Sequence, residues 1–287
     1  MDCQVFSTNL LRLPDRQLRT QWDRAADRRY SGEPGWTTSL YSAAFVGRQA
    51  LELWSGLGYD VLRFAVAGST WTFADFAPDN LALVERVATL KGLRSQVRFH
   101  VIDHSFGFAG LGRDYDAIWA CSSLNHIPFE AARVEALAAL RLLKPRSRWI
   151  ELAYPRRHWL RQGRQDFADW GGCTDGERTP WVEWYDAETI RHRLSPAPQR
   201  AILDFEFSGG NYVWWDFEFD SELPYHALNR NEAAPYQRIR LDSDAVQLVP
   251  GATRRLLKRA RYVTPRGLFA PTAAIALNLN DLGMMVG

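Results

Sequence analysis

Leu51-Glu52-Leu53-Trp54-Ser55-Gly56-Leu57-Gly58-Tyr59-Asp60 is the stretch that decides the fold of this 287-residue chain. An apolar run from Gln49 to Trp54 leads into two glycines one residue apart. A helix-compatible segment follows from about Tyr59 to Ala67, closed by Gly68. A glycine turn between strand and helix lets backbone approach a ligand, and helix N-terminal amides favour anionic groups. Counted from Gly56, a dinucleotide fingerprint wants its third glycine where Val61 stands, so this is not the nicotinamide motif. No Gly-Lys-Ser/Thr follows either, which excludes a P-loop.

Outward from this turn, strands and helices alternate. Thr70 to Asp75 reads as a strand bounded by Pro78. The next segment is a helix with Leu81, Val84, Val87, Ala88 and Leu90 as its apolar positions, closed by Gly92. Val97 to Asp103 and Asp116 to Cys121 are the third and fourth strands. Phe129 to Leu143 is a helix that Lys144-Pro145 ends, and Arg148 to Tyr154 is a fifth strand. Crossover helices of this length imply a parallel sheet covered on both faces, with ligands at the edge where the strands end.

The flanks read differently. Upstream, Pro14 to about Tyr30 is a charged helical stretch stopped by Gly32 and Pro34. Downstream, Pro155 to Pro180 has no clean period, and Asp186 is placed to cap a short helix. Gln199 to Phe207 and Tyr212 to Phe219 flank Ser208-Gly209-Gly210-Asn211, which predicts a hairpin. Its alternation, with Trp214, Asp216 and Glu218 between Val213, Trp215, Phe217 and Phe219, predicts a half-buried pair of strands. Residues 220–260 are polar and irregular, and Thr272 to Leu279 reads as a last strand.

Composition narrows the class. With 46% hydrophobic and 24% charged residues the chain is globular rather than disordered. A net charge of +2 predicts no polyanion partner. Three scattered cysteines make no CxxC pair, which favours a reducing cytosol, and no signal peptide or membrane span is indicated. The expected location is cytoplasmic.

From Gln49 to Tyr154 the sequence resembles the class I S-adenosylmethionine-dependent methyltransferases, in particular the small-molecule branch similar to ubiquinone and menaquinone C-methyltransferases. The family's acidic-glycine loop matches Glu52 to Gly58, and its ribose-binding acid matches Asp75 within Ala74-Asp75-Phe76-Ala77-Pro78. Val101-Ile102-Asp103-His104 matches the motif with an acid near the adenine amine. Tyr115 to Pro128 matches the fourth strand and its loop, and Leu143-Lys144-Pro145 the turn before the fifth strand. The family's first loop glycine is Trp54 here, and its Gly-Gly after Lys-Pro is Arg146-Ser147. An indole at position 54 must turn away or fill the pocket, whereas Arg146-Ser147 is tolerable where φ is negative.

The resemblance implies an α/β, Rossmann-like class I methyltransferase fold, mostly parallel with an antiparallel strand. It carries a helical N-terminal lid (residues 1–45) and a methyltransferase domain (46–287) with a C-terminal elaboration inserted at about 155–265. It implies S-adenosylmethionine held by Glu52, Gly56, Gly58, Asp75, Phe76, Asp103, His104 and Ser122. A small-molecule acceptor would face Asn125, His126 and Tyr154, with residues 22–36 closing over both.

Other readings stay open beside these. Asp75 at a strand end can also cap the next helix. His126 is a general base or a loop-ordering histidine. Tyr154 lines the acceptor pocket or ends its strand. Trp181, Glu183, Trp184 and Tyr185 form a wall for a flat or cationic substrate, or pack the extra segment onto the sheet. His100, Asp103 and His104 lie on a strand, where i and i+4 do not share a helical face, so no metal is expected. The run Arg254, Arg255, Lys258, Arg259 and Arg261 is a solvated helix face or, on a minority reading, an RNA contact. Trp54 also admits a degenerate fold that binds without transferring methyl, and the aromatic strands permit a homodimer.

Overall fold

A computed structural model describes residues 3–31, 38, 41–42, 44–54, 56–102, 107–161, 163–175, 181–197, 200–207, 213–219 and 237–241. Asp103, His104, the hairpin turn 208–211, the basic run 254–261 and the strand read at 272–279 lie outside the described residues.

Two helices, α1 (Cys3–Leu11) and α2 (Asp15–Ser31), precede the sheet. Then come β1 (Gln49–Leu53), α3 (Tyr59–Val66), β2 (Thr70–Asp75), α4 (Pro78–Leu90), β3 (Val97–Val101) and β4 (Tyr115–Cys121). The second half holds α5 (Phe129–Leu140), β5 (Leu143–Ala153), α6 (Arg156–Arg161), α7 (Phe167–Asp175), α8 (Ala187–Leu194), β6 (Arg200–Phe207), β7 (Val213–Phe219) and β8 (Gln237–Leu241). All described strands join one sheet in the order β3-β2-β1-β4-β5-β7-β6-β8. Strands β1 to β5 are mutually parallel, while β7 runs antiparallel to both β5 and β6. The order reverses between β1 and β4, and this switch point is where an open α/β sheet binds ligands.

Every residue of β4 is buried, as a central parallel strand requires when helices cover both faces. Face one holds α1, α2, α3 and α4 through Leu10, Leu18, Trp22, Val61, Phe64, Val84 and Val87, packed on Trp71, Trp119 and Trp214. Face two holds α5 and α8 through Ala132, Ala136, Ala139, Ile190 and Leu194, on Ile118, Trp149 and Trp215. Helix α1, which the sequence reading does not contain, is joined to α2 at a corner held by Arg86 of α4. Its guanidinium donates to the Leu11 and Leu13 carbonyls at 2.8 Å each. Asp186 caps α8 as its sequence position predicts, in a reciprocal capping box with Thr189.

Three expectations change. The second hairpin strand is not half-buried: Trp214, Trp215, Asp216 and Phe217 are all buried, because β7 is an interior strand of the main sheet. Asp216 is tolerated there because Arg148 of β5 donates to its Oδ2 at 2.5 Å and the Tyr41 hydroxyl at 2.7 Å. The Leu143-Lys144-Pro145 turn is already strand. Leu143 pairs with Tyr115, the next partners are Ala117 and Arg148, and the residues between bulge out. Within that bulge Arg146 has φ +60°, so the condition of a negative φ fails. The backbone keeps the left-handed form that suits glycine although the residue is arginine.

Arg146→Gly should therefore stabilise the fold by about 1 kcal/mol, read from denaturant midpoints, since a side chain in left-handed backbone costs about 1–2 kcal/mol. Asp216→Asn should lose about 3–5 kcal/mol by removing the buried charge that faces the Arg148 guanidinium. The double change Arg148→Met, Asp216→Leu should recover most of that loss, and strict additivity of the single losses would refute the account.

Candidate active site

The glycine turn leaves β1 and enters α3 with left-handed backbone at alternate residues: Trp54 (φ 53°), Gly56 (φ 57°) and Gly58 (φ 65°). Gly58 has a second reason to lack a side chain. A Cβ there would meet both Val84 methyls of α4 at 2.6 Å. The turn thus combines left-handed backbone with close helix packing.

Helix α2 grips this turn from face one. The Trp22 indole donates to the Leu57 carbonyl at 2.9 Å and the Tyr30 hydroxyl to the Tyr59 carbonyl at 2.5 Å. Arg29 makes two bonds to Asp60, at 3.2 and 2.8 Å, and the Trp119 indole donates to the same carboxylate at 3.1 Å. Burial alone would lower the Arg29 pKa, but the fields of Asp60 and, more weakly, Glu52 hold it above its usual value. Glu52 is fully buried in β1, within this charged group. Burial pushes the Cys121 thiol well up, with Asp60 and Glu52 adding to the effect, so it is no ready nucleophile.

Asp75, at the end of β2, is 1% exposed. Its carboxylate accepts from the Ala77 amide at 2.8 Å and the Asn80 side chain at 3.1 Å, and the Gly56 and Phe76 amides also point to it. Burial still raises its pKa despite these donors. Asp75 therefore ties the glycine turn to the chain that enters α4, whose N-cap is Ala77. Phe76 beside it is 53% exposed, its ring 5.0 Å from that of Trp54.

Trp54 makes two contacts there. It leans onto the face-two cluster, and it lays its ring against Phe76. Its indole N–H also favours the ionised form of Glu135, a fully buried acid on α5. Burial nonetheless pushes Glu135 up to about 8; Arg193 opposes the rise and Asp75 adds to it.

After β4 the chain turns sharply, with Ser122 at φ 57° and its amide donating to the Leu152 carbonyl at 2.9 Å. Ser123 and Asn125 are buried here. Neither the Ser123 hydroxyl nor either polar atom of the Asn125 side chain bonds a described residue. The His126 ring stands edge-on to Tyr154, centroids 6.3 Å apart. The segment 181–185 lies against both loops: the Glu183 amide donates to the Asn125 carbonyl at 2.7 Å and the Tyr185 amide to the Tyr154 carbonyl at 2.8 Å. The structure thus brings Asn125, His126 and Tyr154 together. It separates them from Glu52, which sits within face one. Glu135 is a buried acid that the sequence did not yield as a site residue, while the sequence reads Glu183 only as part of a wall for a substrate or for packing. The one available signal was an acid inside the aromatic run at Glu183.

A raised pKa gives Glu135 a definite sign. Its contribution to stability is complete below its unfolded pKa near 4.5 and is lost as pH rises through about 8. Glu135→Gln should therefore gain on the wild type by a few kcal/mol between pH 5 and pH 9 in urea denaturation. A stability difference independent of pH would remove Glu135 from that role.

No protein-family model matches the sequence, and no curated protein matches it. Solved structures do resemble it in shape. An O-methyltransferase family 2 protein from Planctomyces limnophilus DSM 3776, in complex with apigenin, aligns at TM-score 0.53 with 15% identity over 70% of this chain and 61% of its own. The O-methyltransferase NcsB1 from neocarzinostatin biosynthesis, in complex with S-adenosylmethionine and 2-hydroxy-5-methyl naphthoic acid, aligns at 0.52 with 10% identity over 69% and 56%. Geranyl diphosphate C-methyltransferase from Streptomyces coelicolor A3(2), in complex with S-adenosyl-L-homocysteine, aligns at 0.51 with 10% identity over 65% and 76%. Strand order, the antiparallel β7 and these alignments agree: the chain has the Rossmann-like fold of the class I methyltransferases.

Proposed function

We propose that this protein is an S-adenosylmethionine-dependent methyltransferase acting on a small-molecule acceptor, in the branch similar to the ubiquinone and menaquinone C-methyltransferases. The observation that carries this reading is the turn with alternate left-handed residues, joined through the Gly56 amide to Asp75 at the switch point of the sheet. Buried polar groups are rarely left without partners, so the Ser123 hydroxyl and Asn125 amide favour a polar ligand at this edge. The exposed Phe76 ring beside Asp75 suits a flat base. The residues present therefore fit the cofactor.

In this reading Glu52, Gly56, Gly58, Asp75, Phe76 and Ser122 hold S-adenosylmethionine, with Asp103 and His104 assigned the adenine end by resemblance alone. Asp75 takes a ribose hydroxyl in place of one of its present donors. The bound cofactor supplies an electrophilic sulfonium methyl. Asn125, His126 and Tyr154 face the acceptor and fix its orientation, and positioning of this kind supplies most of the acceleration. His126 holds a proton where the acceptor must lose one. Helix α2 excludes water from the turn, and in this reading residues 1–45 are the lid of a methyltransferase domain that begins at residue 46. No helix among the described residues is long and apolar enough to cross a membrane.

A second reading has its own observation. Asp75 already has protein donors and Trp54 covers part of Phe76, which favours a degenerate fold that binds a ligand or partner without methyl transfer. Calorimetric titration of the ligand-free protein with S-adenosylmethionine and S-adenosylhomocysteine separates the two. Micromolar or tighter binding is expected, and its absence in folded protein would favour the degenerate fold. Trp54→Gly should tighten binding several-fold, because it uncovers Phe76 and relieves left-handed backbone at a non-glycine residue. Unchanged affinity would show that the indole does not obstruct the site. Asp75→Ala should weaken binding strongly, and an unaltered titration would remove Asp75 from the ribose role.

A further inference from the structure

Helix α1 reaches the end of β2 through two buried side chains. The Ser7 hydroxyl donates to Asn80 Oδ1 at 2.5 Å, and the Asn80 amide nitrogen donates to Asp75 Oδ2 at 3.1 Å. Ser7 and Asp75 are at most 1% exposed and Asn80 is 4% exposed, so these bonds lie away from solvent. The chain of bonds has a direction. An ionised carboxylate only accepts, so the nitrogen end of the Asn80 amide faces Asp75 and the oxygen end is left for Ser7, whose hydroxyl turns to donate. Asp79, the neighbouring residue of α4, is held differently: its carboxylate accepts from the Thr8 hydroxyl at 2.5 Å. The first turn of α4 thus presents two adjacent polar side chains to α1, and Asn80 carries the contact on to Asp75.

We propose that Ser7 and Asn80 are positioning residues, a relay that holds the Asp75 carboxylate in the geometry that takes the cofactor's ribose, so that helix α1 is part of the cofactor site. The inference rests on the methyltransferase reading, in which Asp75 accepts from that ribose. Two features favour this role over packing alone. Docking of α1 has contacts of its own in Leu10 within the face-one core, Thr8 on Asp79, and Arg86 on the Leu11 and Leu13 carbonyls. Besides, the other donors directed at Asp75, the amides of Ala77, Gly56 and Phe76, are backbone and are fixed by the turn and the entry to α4. Asn80 donates from a side chain that has rotamers to lose, so a second partner at its oxygen end keeps the donor aimed.

The relay has a pH signature. Burial raises the Asp75 pKa, and the Ala77 amide, the Asn80 side chain and the Gly56 and Phe76 amides oppose the rise. Two other acids bear on it. Asp79 of α4 is engaged by Thr8, and Glu135 of α5, itself pushed up to about 8, stays neutral in acid. Losing the Asn80 donor should therefore raise the Asp75 pKa further, and the carboxylate should stop being a charged acceptor at a higher pH.

The test follows the Asp75 carboxyl by carbon-13 NMR in the full-length protein labelled at its aspartates, with the resonance assigned by its loss in Asp75→Asn. Asn80→Ala should raise the titration midpoint by about one pH unit, the size of one hydrogen bond to a charged group. Ser7→Ala should raise it by less, and should add nothing in the Asn80→Ala background, because the hydroxyl acts through the amide. Thr8→Ala, which loosens α1 without touching the relay, should leave the midpoint in place. Calorimetric affinity for S-adenosylhomocysteine should fall on the acid side, and this limb should move up by the same interval in Asn80→Ala. If Asn80→Ala does not fold, the contrast between Ser7→Ala and Thr8→Ala carries the test. An unmoved midpoint in Ser7→Ala and Asn80→Ala, additive shifts in the double variant, or an equal shift in Thr8→Ala overturns the relay. The expected NMR shifts in a protein whose wild type binds no S-adenosylhomocysteine sustain the relay and overturn the reading it rests on.

Discussion

The ion pair between Arg29 and Asp60 holds the N-terminal helices to the machinery of the sheet. Asp60 lies two residues beyond the left-handed turn, on the first turn of α3, almost wholly buried, with Arg29 and the Trp119 indole as its donors. Losing one partner of such a pair costs about 3–5 kcal/mol, because the charge left behind stays desolvated. Geometry extends the effect beyond energy. Asp60 is addressed from α2 on one side and from the central strand β4 on the other, so the turn between β1 and α3 is fixed from both. The Trp22 and Tyr30 bonds to the Leu57 and Tyr59 carbonyls act on the same few residues. The turn therefore has a single available path, and it is left-handed at three alternate residues.

That constraint accounts for positive φ at a non-glycine residue of the turn. Trp54 and Arg146 stand where the resembling family has glycine, and both adopt positive φ. At each place the surroundings over-determine the conformation. The Trp54 amide bonds the Ala74 carbonyl of β2 at 2.9 Å, and the Arg146 bulge is bracketed by the pairing of Leu143 and Arg148 with β4. The energetic cost of about 1–2 kcal/mol per residue is small beside the pairing that would be lost by relaxing it.

Much of the parallel half was legible in the sequence for a simple reason. Central parallel strands are apolar runs bounded by glycine and polar breaks, so β1, β2 and β4 fall within a residue of their expected limits. What was not legible depends on partners far along the chain. The alternation in β7 reads as one wet face until Arg148, 68 residues earlier, is found against Asp216. Helix α1 lacks a strong apolar stripe, and its place is set by Arg86 and by hydrogen bonds to α4, such as that of Ser7 to Asn80. The candidate site divides the same way. Asn125, His126 and Tyr154 follow strands whose ends could be read. Glu183 reaches them only because a segment without any period pairs its backbone with both loops.

These two kinds of information also separate the two halves of the proposed chemistry. The cofactor side is built from the turn and strand ends, and its geometry follows from the sheet. The acceptor side is built by chain laid over the sheet edge, held there by the bonds of Glu183 to Asn125 and Tyr185 to Tyr154. Substitutions in 181–185 can therefore reshape the acceptor edge while the ladder of β1, β2, β4 and β5 stays in register. A fold whose binding edge is rigid on one side and supplied by added chain on the other keeps one donor chemistry and varies its acceptor, which is the physical content of function residing in sites rather than in folds.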